Sequence, residues 1–340
     1  MKGEASPPAI FHLHPLRRCN LRCLHCYSDS APDAPGMLGL AEAQSALALA
    51  CRWGYRQLAL SGGEPMLWPH LEALLEFART LGMQASLVTN GMQAVTPRSL
   101  RIYALARTVT VSIDGLQDEH DFMRGRRGAY LTGQRTLQGL VGEGVAPWIS
   151  CGVTSKNLDH IDQIAENAHA IGAAGINFHV VEKAGRAQQL SDHYFLNEEQ
   201  RTLLFTIAHI LAASYRGELE VHVDLLHKST IQQRPQLLYA DSGASRQSSL
   251  PAEHLAVLVM SADGLLTPVC YGFHPRYTVG RLGASGTAAA DDMWDGFRNA
   301  TYPALLALGA SLLEELAASD DQLVLNPGDA LAQRSYLLAA

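Results

Sequence analysis

Short apolar runs alternate with longer stretches of helical periodicity up to Glu182. Such alternation favours parallel strands joined by right-handed crossover connections. The predicted strands are Ile10–His14, Gln57–Ser61, Gln84–Thr89, Thr108–Ile113, Pro147–Thr154 and Ile176–Glu182. The predicted helices are Leu40–Trp53, Pro69–Leu81, Pro97–Ala106, Ala129–Glu143 and Leu158–Ile171. The pattern predicts an α/β fold, and periodicity alone leaves a doubly wound sheet and a partial barrel as alternatives.

The regular alternation of predicted strands and helices ends after Glu182. Asn197–Tyr215 predicts a long helix with an apolar face made of Leu203, Leu204, Ile207, Ile210 and Leu211. Gln232–Glu253, which contains many Ser, Gln and Pro residues, predicts a linker or loop. Leu255–Met260 and Leu265–Val269 predict a β-hairpin that turns at Asp263-Gly264. The remaining predictions are strands at Glu220–Val223 and Tyr277–Leu282 and helices at Leu305–Ala318 and Gly328–Ala340.

Composition narrows the class of protein. Of the 340 residues, 47% are hydrophobic and 17% are charged, which predicts a substantial buried core. The net charge of -7 argues against a dedicated nucleic-acid binder. No apolar run reaches the roughly 18–20 residues that cross a bilayer, and Met1–Pro8 lacks the apolar core of a signal peptide. We therefore expect a cytoplasmic protein with neither a nucleic acid nor a membrane as its partner.

Three of the six cysteines lie within eight residues, as Cys19, Cys23 and Cys26. In a cytosolic chain this spacing predicts a metal or redox site rather than a disulfide framework. Three thiolates can hold three irons of a cubane and leave the fourth iron open to a small molecule. The alternative is a zinc site that uses the three cysteines together with His25 or another histidine.

The cysteine spacing and several later motifs resemble the radical S-adenosylmethionine (SAM) superfamily. Ser61-Gly62-Gly63-Glu64-Pro65, after the second strand, resembles that family's GGEP motif. Further matching segments follow later strands in the family's order: Thr89-Asn90-Gly91, Ser112-Ile113-Asp114-Gly115, Arg124-Gly125, Thr154 with Asn157, and Val180 to Arg186. These segments fall at the carboxyl ends of predicted parallel strands, where α/β barrels build their active sites.

The resemblance implies a partial (β/α)6 TIM-type barrel with one [4Fe–4S] cluster on Cys19, Cys23 and Cys26, and with SAM as the second cofactor. It also implies that Gly62, Gly63 and Glu64 approach the amino group of SAM, that Ser112 approaches its ribose, and that Arg124 approaches its carboxylate. The other residues that it implies for cofactor binding are Thr89, Asn90, Asp114, Thr154, Asn157 and Val181. Tyr27 is expected near the cluster or the adenine, with a core position as the alternative.

The activity implied by the resemblance is reductive cleavage of SAM. It yields methionine and a 5′-deoxyadenosyl radical, which abstracts hydrogen from a substrate. The electron comes from a separate reductant, which we expect to be a protein of the flavodoxin or ferredoxin type.

The C-terminal part resembles a degenerate SPASM or twitch extension, in Ser261–Gly264, Pro268–Cys270, Val279–Arg281 and Asp292–Trp294. Full extensions use many cysteines for auxiliary clusters, whereas this chain has only Cys270 after Arg186, so we expect no auxiliary cluster. Cys270 is expected to be a buried structural thiol, with catalytic donation of hydrogen to a substrate radical as the alternative. The predicted domains are a barrel in 1–190, a connecting segment in 191–254 and the extension in 255–340.

Substrate class is left open by the resemblance, because related enzymes include peptide maturases and tetrapyrrole-modifying enzymes. We favour modification of a ribosomally made peptide. The residues before the first strand are too few for a leader-binding domain, so we expect a separate leader-peptide-binding protein. The alternatives are haem-type cofactor biosynthesis, another small-molecule substrate, and a zinc- or cluster-containing binding protein without catalysis.

Overall fold

Most strands of the protein belong to one ten-stranded sheet. The computed structural model describes residues 9–238, 250–282, 290–319 and 323–338. Within them, strands β1 to β7 lie side by side in chain order, and every neighbouring pair among them is parallel. These strands are β1 Ile10–Leu13, β2 Gln57–Leu60, β3 Gln84–Thr89, β4 Thr108–Ser112, β5 Trp148–Val153, β6 Gly175–Val180 and β7 Glu220–Val223. The predicted α/β class is confirmed.

The C-terminal part extends the same sheet at its other edge. Strand β9 (Val257–Met260) pairs in parallel with β1, β10 (Leu265–Pro268) pairs antiparallel with β9, and β11 (Gly280–Arg281) pairs antiparallel with β10. Two short strands, β8 (Leu226–His227) and β12 (Val324–Leu325), form a separate antiparallel pair. Backbone hydrogen bonds therefore connect the predicted barrel and extension directly, and the division into three domains stays a prediction.

Helices follow most of the parallel strands, as crossover connections require. Those of the first part are α1 Leu40–Arg52, α2 Leu71–Thr80, α3 Pro97–Leu105, α4 Gln117–Arg124, α5 Ala129–Gly142, α6 Ile161–Ala170 and α7 Glu198–Ser214. The later helices are α8 Lys228–Gln233, α9 Pro251–His254, α10 Ala290–Ala300, α11 Tyr302–Ala318 and α12 Pro327–Leu337. None of the described helices has both the length and the apolar character that crossing a bilayer requires.

Burial alternates along the strands and separates the two faces of the sheet. In β5, Ile149, Cys151 and Val153 are buried, while the residues between them are partly exposed. The same alternation in β6 buries Phe178 and leaves His179 half-exposed. A period of two is what a strand with one face against helices requires. The helices cover the buried face, so the other face is available for a site.

Two predictions need correction, and one helix near the predicted motifs was missed. Leu203 and Ile210 on α7 are 47% and 60% exposed, so the buried stripe runs through Leu204, Ala208 and Leu211 instead. Helix α4 was not predicted, because its eight residues are mostly polar. The predicted linker Gln232–Glu253 begins inside α8 and ends inside α9, and its residues 239–249 lie outside the described part.

Candidate functional site

The three clustered cysteines lie in the loop that follows β1. All three are free thiols, and Cys19 and Cys23 are only 9% and 8% exposed. Burial raises the pKa of Cys19 to about 11 and also raises that of Cys23, where the nearby Arg124 acts in the opposite direction. In the metal-free protein these two thiols therefore carry their protons at neutral pH, and binding of a metal group displaces them.

Each of the three sulfurs faces one N–H group. Asn90 Nδ2 lies 3.6 Å from Cys19 Sγ, Arg124 Nη1 lies 3.8 Å from Cys23 Sγ, and the backbone nitrogen of Ser30 lies 3.3 Å from Cys26 Sγ. N–H groups directed at sulfur stabilise the thiolate form and tune iron–sulfur clusters. Three thiols with such donors fit a [4Fe–4S] cluster that keeps one iron open.

The Gly62-Gly63 turn after β2 packs directly against the cysteine loop. The Gly63 nitrogen donates to Leu16 O at 2.8 Å, and the Glu64 nitrogen donates to Arg18 O at 3.0 Å. A Cβ atom on Gly63 would overlap the Arg18 carbonyl, so only glycine permits this approach. The close backbone contact shown here joins two protein segments, and contact of this turn with SAM remains an expectation.

Glu64 joins the turn after β2 to the end of β3. Its carboxylate is 1% exposed and accepts hydrogen bonds from Thr89 Oγ1 and the Asn90 nitrogen, both at 2.8 Å, and from the Met66 nitrogen at 3.1 Å. Burial raises the pKa of Glu64, while these hydrogen bonds oppose the shift. Glu64 and Thr89 thus fix the position of Asn90, whose side chain reaches Cys19.

A buried ion pair lies beside Cys23. Asp114 Oδ2 is 2.6 Å from Arg124 Nε and 3.2 Å from His25 Nε2. Burial alone would raise the pKa of Asp114, but Arg124 and then His25 outweigh it and hold that pKa well below its usual range. Asp114 is therefore ionised, and it occupies one edge of the Arg124 guanidinium. A SAM carboxylate would have to use the remaining N–H groups of Arg124.

The ends of β4 and β5 are locked together by Asn157. Its Nδ2 donates to Asp114 O at 2.6 Å and to Gly152 O at 2.8 Å, while its Oδ1 accepts from the Thr154 nitrogen at 2.8 Å. On the other side of Asp114, the backbone nitrogen donates to Nδ1 of the buried His120 at 2.9 Å. Burial lowers the pKa of His120 to about 4, so this imidazole is neutral and accepts the bond.

Tyr27 lies in a group of rings at the end of β1. Its hydroxyl is 3.2 Å from Ser61 Oγ, and its ring meets Tyr271 edge-on with 5.5 Å between the ring centroids. Tyr271 in turn stacks on His14 at 5.0 Å. Tyr27 is 42% exposed, so the alternative of a core aromatic does not hold. Tyr271 shows that the C-terminal part contributes a side chain to this edge of the site.

The structure brings most of the predicted residues into two neighbouring groups, around Cys19 and around Cys23. Ser112 is buried at the end of β4, and Val181, after β6, donates its backbone N–H to Val153 O at 3.0 Å. Cys270 directly precedes Tyr271, its sulfur lies 3.7 Å from Gly328 O at the start of α12, and burial raises its pKa to about 12.

Sequence reasoning missed two contacts of the cysteine loop. His25 was considered only as a zinc ligand, yet its Nε2 is directed at Asp114. Arg186 was noted only as part of a backbone segment, yet its side chain bonds to Cys23 O at 2.8 Å. The position of His25 between two cysteines was a usable signal for the first contact. For the second, the sequence offers none, because 163 residues separate the partners.

The segment around the cysteine loop is similar to known protein families. Residues 13–140 match the family model of the radical SAM superfamily. Subtilosin biosynthesis protein AlbA of Bacillus subtilis is 27% identical over 185 residues, which is 54% of this chain and 41% of AlbA. Pre-heme d1 synthase of Dinoroseobacter shibae is 34% identical over 165 residues, which is 48% of this chain and 40% of that enzyme. The alignments thus span less than half of these two relatives.

Solved structures share the fold over most of the chain. SuiB of Streptococcus suis bound to S-adenosylmethionine has a TM-score of 0.64 at 15% identity, covering 89% of this chain and 68% of SuiB. The protein anSMEcpe with bound AdoMet has a TM-score of 0.65 at 18% identity, covering 98% of this chain and 97% of that protein. This likeness confirms the predicted barrel-type α/β fold.

Proposed function

Residues 13–140 match the family model of the radical SAM superfamily, and on this basis we propose that the chain cleaves SAM reductively and modifies a ribosomally made peptide. The observation that carries the first half of this proposal is the set of three sulfurs, each facing its own N–H donor, in the loop after β1. A [4Fe–4S] cluster bound there would supply one electron to SAM.

The surrounding residues have separate tasks in this proposal. Cys19, Cys23 and Cys26 hold the cluster, and Glu64 holds Asn90 against Cys19. Asp114 orients Arg124 next to Cys23, where unused N–H groups of the guanidinium would bind the SAM carboxylate. Ser112 is the last residue of β4, and Thr154 and Val181 directly follow β5 and β6, so these are the residues we propose for the nucleoside of SAM.

Three acidic side chains, Glu182, Asp224 and Asp329, lie close to one another near the ends of β6 and β7. Burial raises the pKa of Asp329 to about 7, and the negative charges of Glu182 and Asp224 add to this rise. Arg201 is already paired with Glu182 at 2.8 Å, and His179 with Asp224 at 3.2 Å. Arg201 and His179 therefore pair with two of these acids and the third keeps its proton up to about pH 7, so the group does not by itself select between a peptide and a tetrapyrrole.

Two of the compared proteins support the peptide proposal by their names. AlbA is a bacteriocin biosynthesis protein, and SuiB has been crystallised with its precursor peptide SuiA. Haem-type chemistry is the second candidate, because pre-heme d1 synthase and AdoMet-dependent heme synthases are also among the relatives.

The proposed partners follow from the chemistry. Reduction of the cluster needs an electron donor, for which we propose a protein of the flavodoxin or ferredoxin type, and we propose a separate protein to bind the leader of the peptide. All six cysteines are free thiols, which fits a reducing cytoplasmic setting.

Anaerobic reconstitution followed by incubation with SAM and dithionite tests the first half of this proposal. We expect about four irons per chain, as one cubane requires, and formation of 5′-deoxyadenosine that Cys23→Ala abolishes. Zinc without sulfide would support the binding-protein alternative, and a cluster without 5′-deoxyadenosine would contradict catalysis.

Candidate substrates test the second half. Short peptides encoded beside the gene are compared with Fe-coproporphyrin III, with 5′-deoxyadenosine formation and the mass of each compound as readouts. A peptide whose mass changes supports the proposal, whereas a change confined to the tetrapyrrole supports the second candidate.

A further inference from the structure

Arg186 contacts the cysteine loop through both its backbone and its side chain, whereas Arg124 contacts the sulfur of Cys23. Its backbone nitrogen donates to Cys26 O at 2.9 Å. Its Nη1 donates to Cys23 O at 2.8 Å, and its Nη2 donates to Ser30 O and to Asp29 Oδ1, each at 2.8 Å. One side chain that follows β6 thus fixes the loop between the second and third cysteines and the segment after it.

The local backbone is shaped for this contact. Gly185 has a φ of +54°, and a Cβ atom there would overlap the carbonyls of Cys26 and Tyr27. Asp29, the acidic partner of Arg186, has a φ of 50°, in the left-handed region that Asp tolerates better than most residues. Gly185 and Asp29 therefore both have backbone conformations that most residues disfavour, and both lie next to the Arg186 contacts. The hydrogen bonds of Arg186 hold the two segments in place.

The two arginines near Cys23 differ in how well their charges are neutralised. The carboxylate that pairs with Arg124 is that of Asp114, which is 2% exposed, so the two charges cancel locally. The partner of Arg186 is Asp29, whose side chain is 58% exposed while that of Arg186 is 14% exposed. Water screens an exposed carboxylate more than a buried guanidinium. The charge of Arg186 is therefore neutralised less completely at the cysteine loop than that of Arg124.

We propose that Arg186 is a positioning residue that holds the cysteine loop and raises the reduction potential of the cluster bound there. This inference rests on the cluster of the proposed function. Reduction adds one negative charge to a group already bound by three thiolates, so a nearby cation whose counter-charge is screened by water stabilises the reduced form more than the oxidised form. A cluster that is easier to reduce accepts its electron from a weaker donor.

Four variants of the full chain separate charge from shape. Arg186→Gln removes the charge, Arg186→Lys keeps the charge but loses the fork that reaches three acceptors, and Asp29→Asn removes the opposing charge. Arg107→Gln is the matched control, because Arg107 is exposed at the amino end of β4, away from the loop. Each protein is reconstituted with iron and sulfide without oxygen and titrated with dithionite, with the EPR signal of the reduced cluster as the readout.

We expect the midpoint potential to fall in Arg186→Gln, to rise in Asp29→Asn and to stay at the wild-type value in Arg107→Gln. Arg186→Lys should keep a potential near wild type while losing iron to a chelator faster, because its ammonium cannot bond Cys23 O, Asp29 and Ser30 together. Opposite shifts cannot come from loosening of the loop alone, since loosening has no reason to change sign between the two variants.

Potentials that are unchanged in both Arg186→Gln and Asp29→Asn, or that shift in the same direction, would overturn the proposal. If Arg186→Gln assembles no cluster, Arg186→Lys and Asp29→Asn still decide it. If the wild-type protein assembles no cluster, both this inference and the proposed function are overturned. If it assembles a cluster whose midpoint potential is the same in Arg186→Gln and Asp29→Asn, only this inference is overturned.

Discussion

Asp114 Oδ2 lies 2.6 Å from Arg124 Nε, in an ion pair whose side chains are only 2% and 10% exposed. The pair connects the end of β4 with the end of α4, and it stands directly beside Cys23. A charge so deeply buried is tolerated only while its partner is present. The candidate site is therefore built around an internal salt bridge that the protein has to keep intact even without cofactors.

Asp114→Asn should destabilise the metal-free protein by about 3–5 kcal/mol, because it leaves the Arg124 guanidinium buried without a counter-charge. Urea unfolding followed by circular dichroism measures the change. Asp118→Asn, at an exposed position of α4, is the matched control and should change stability by less than about 0.5 kcal/mol. Equal stability of the two variants would show that Arg124 is not dependent on Asp114.

Glu64→Gln should lower the free energy of unfolding by about 1.5–3 kcal/mol. The carboxylate accepts from three donors, and the amide of Gln can present only one acceptor oxygen to them. Since Asn90 depends on Glu64 for its position, the reconstituted variant should also lose iron to a chelator faster than wild type. The exposed Glu76→Gln on α2 serves as the control, and a variant of Glu64 that behaves like it would contradict this role.

Gly63→Ala should destabilise the cysteine loop by at least about 2 kcal/mol, because its new methyl group would overlap the Arg18 carbonyl. Gly142→Ala is the opposite case: its methyl group meets no atom within 4 Å at the end of α5, and it should stabilise by about 0.5–1 kcal/mol. Thermal unfolding of both variants gives the comparison. A Gly63→Ala protein with wild-type stability and iron content would mean that the loop has room to move.

Stability should fall as pH rises through the range in which Asp329 loses its proton. Burial and the charges of Glu182 and Asp224 raise its pKa from 3.8 to about 7. The folded state therefore holds a proton that the unfolded chain releases, so the stabilisation is complete below about pH 4 and is lost by about pH 7. Asp329→Asn removes this dependence.

The variant should thus gain stability relative to wild type between pH 5 and pH 8, as measured by urea unfolding at both values. The exposed Asp159→Asn should show no such change in its difference from wild type. A constant difference between Asp329→Asn and wild type across this range would contradict the raised pKa.

The fold of the first part could be predicted from the sequence because period-two burial and helix spacing are local signals. The prediction Gln84–Thr89 coincides with β3, and Glu220–Val223 coincides with β7. Helix α7 also begins where predicted, because Asn197 and Gln200 cap it reciprocally. By contrast, the pairing of β9 with β1 could not be predicted, since about 250 residues separate the partners and no local pattern encodes it.

The residues of the candidate site could be predicted from the sequence, but the contacts among them could not. The order of motifs located Glu64, Asn90 and Asp114 after the ends of successive strands and Arg124 shortly after Asp114. The sequence could not show that the Glu64 carboxylate accepts hydrogen bonds from protein N–H and O–H groups, or that the Asp114 carboxylate pairs with Arg124. These contacts depend on how neighbouring loops fold over one another. The same holds for Tyr271, which reaches His14 from the far end of the chain.

The proposed function depends on a cluster bound by Cys19, Cys23 and Cys26 that keeps one iron open for SAM. EPR spectroscopy of the dithionite-reduced, reconstituted protein, recorded before and after addition of SAM, tests it most directly. We predict the signal of a reduced [4Fe–4S] cluster whose g-values change when SAM binds the open iron. A cluster signal that is identical with and without SAM, or the absence of any iron–sulfur signal, would rule out an open iron that binds SAM.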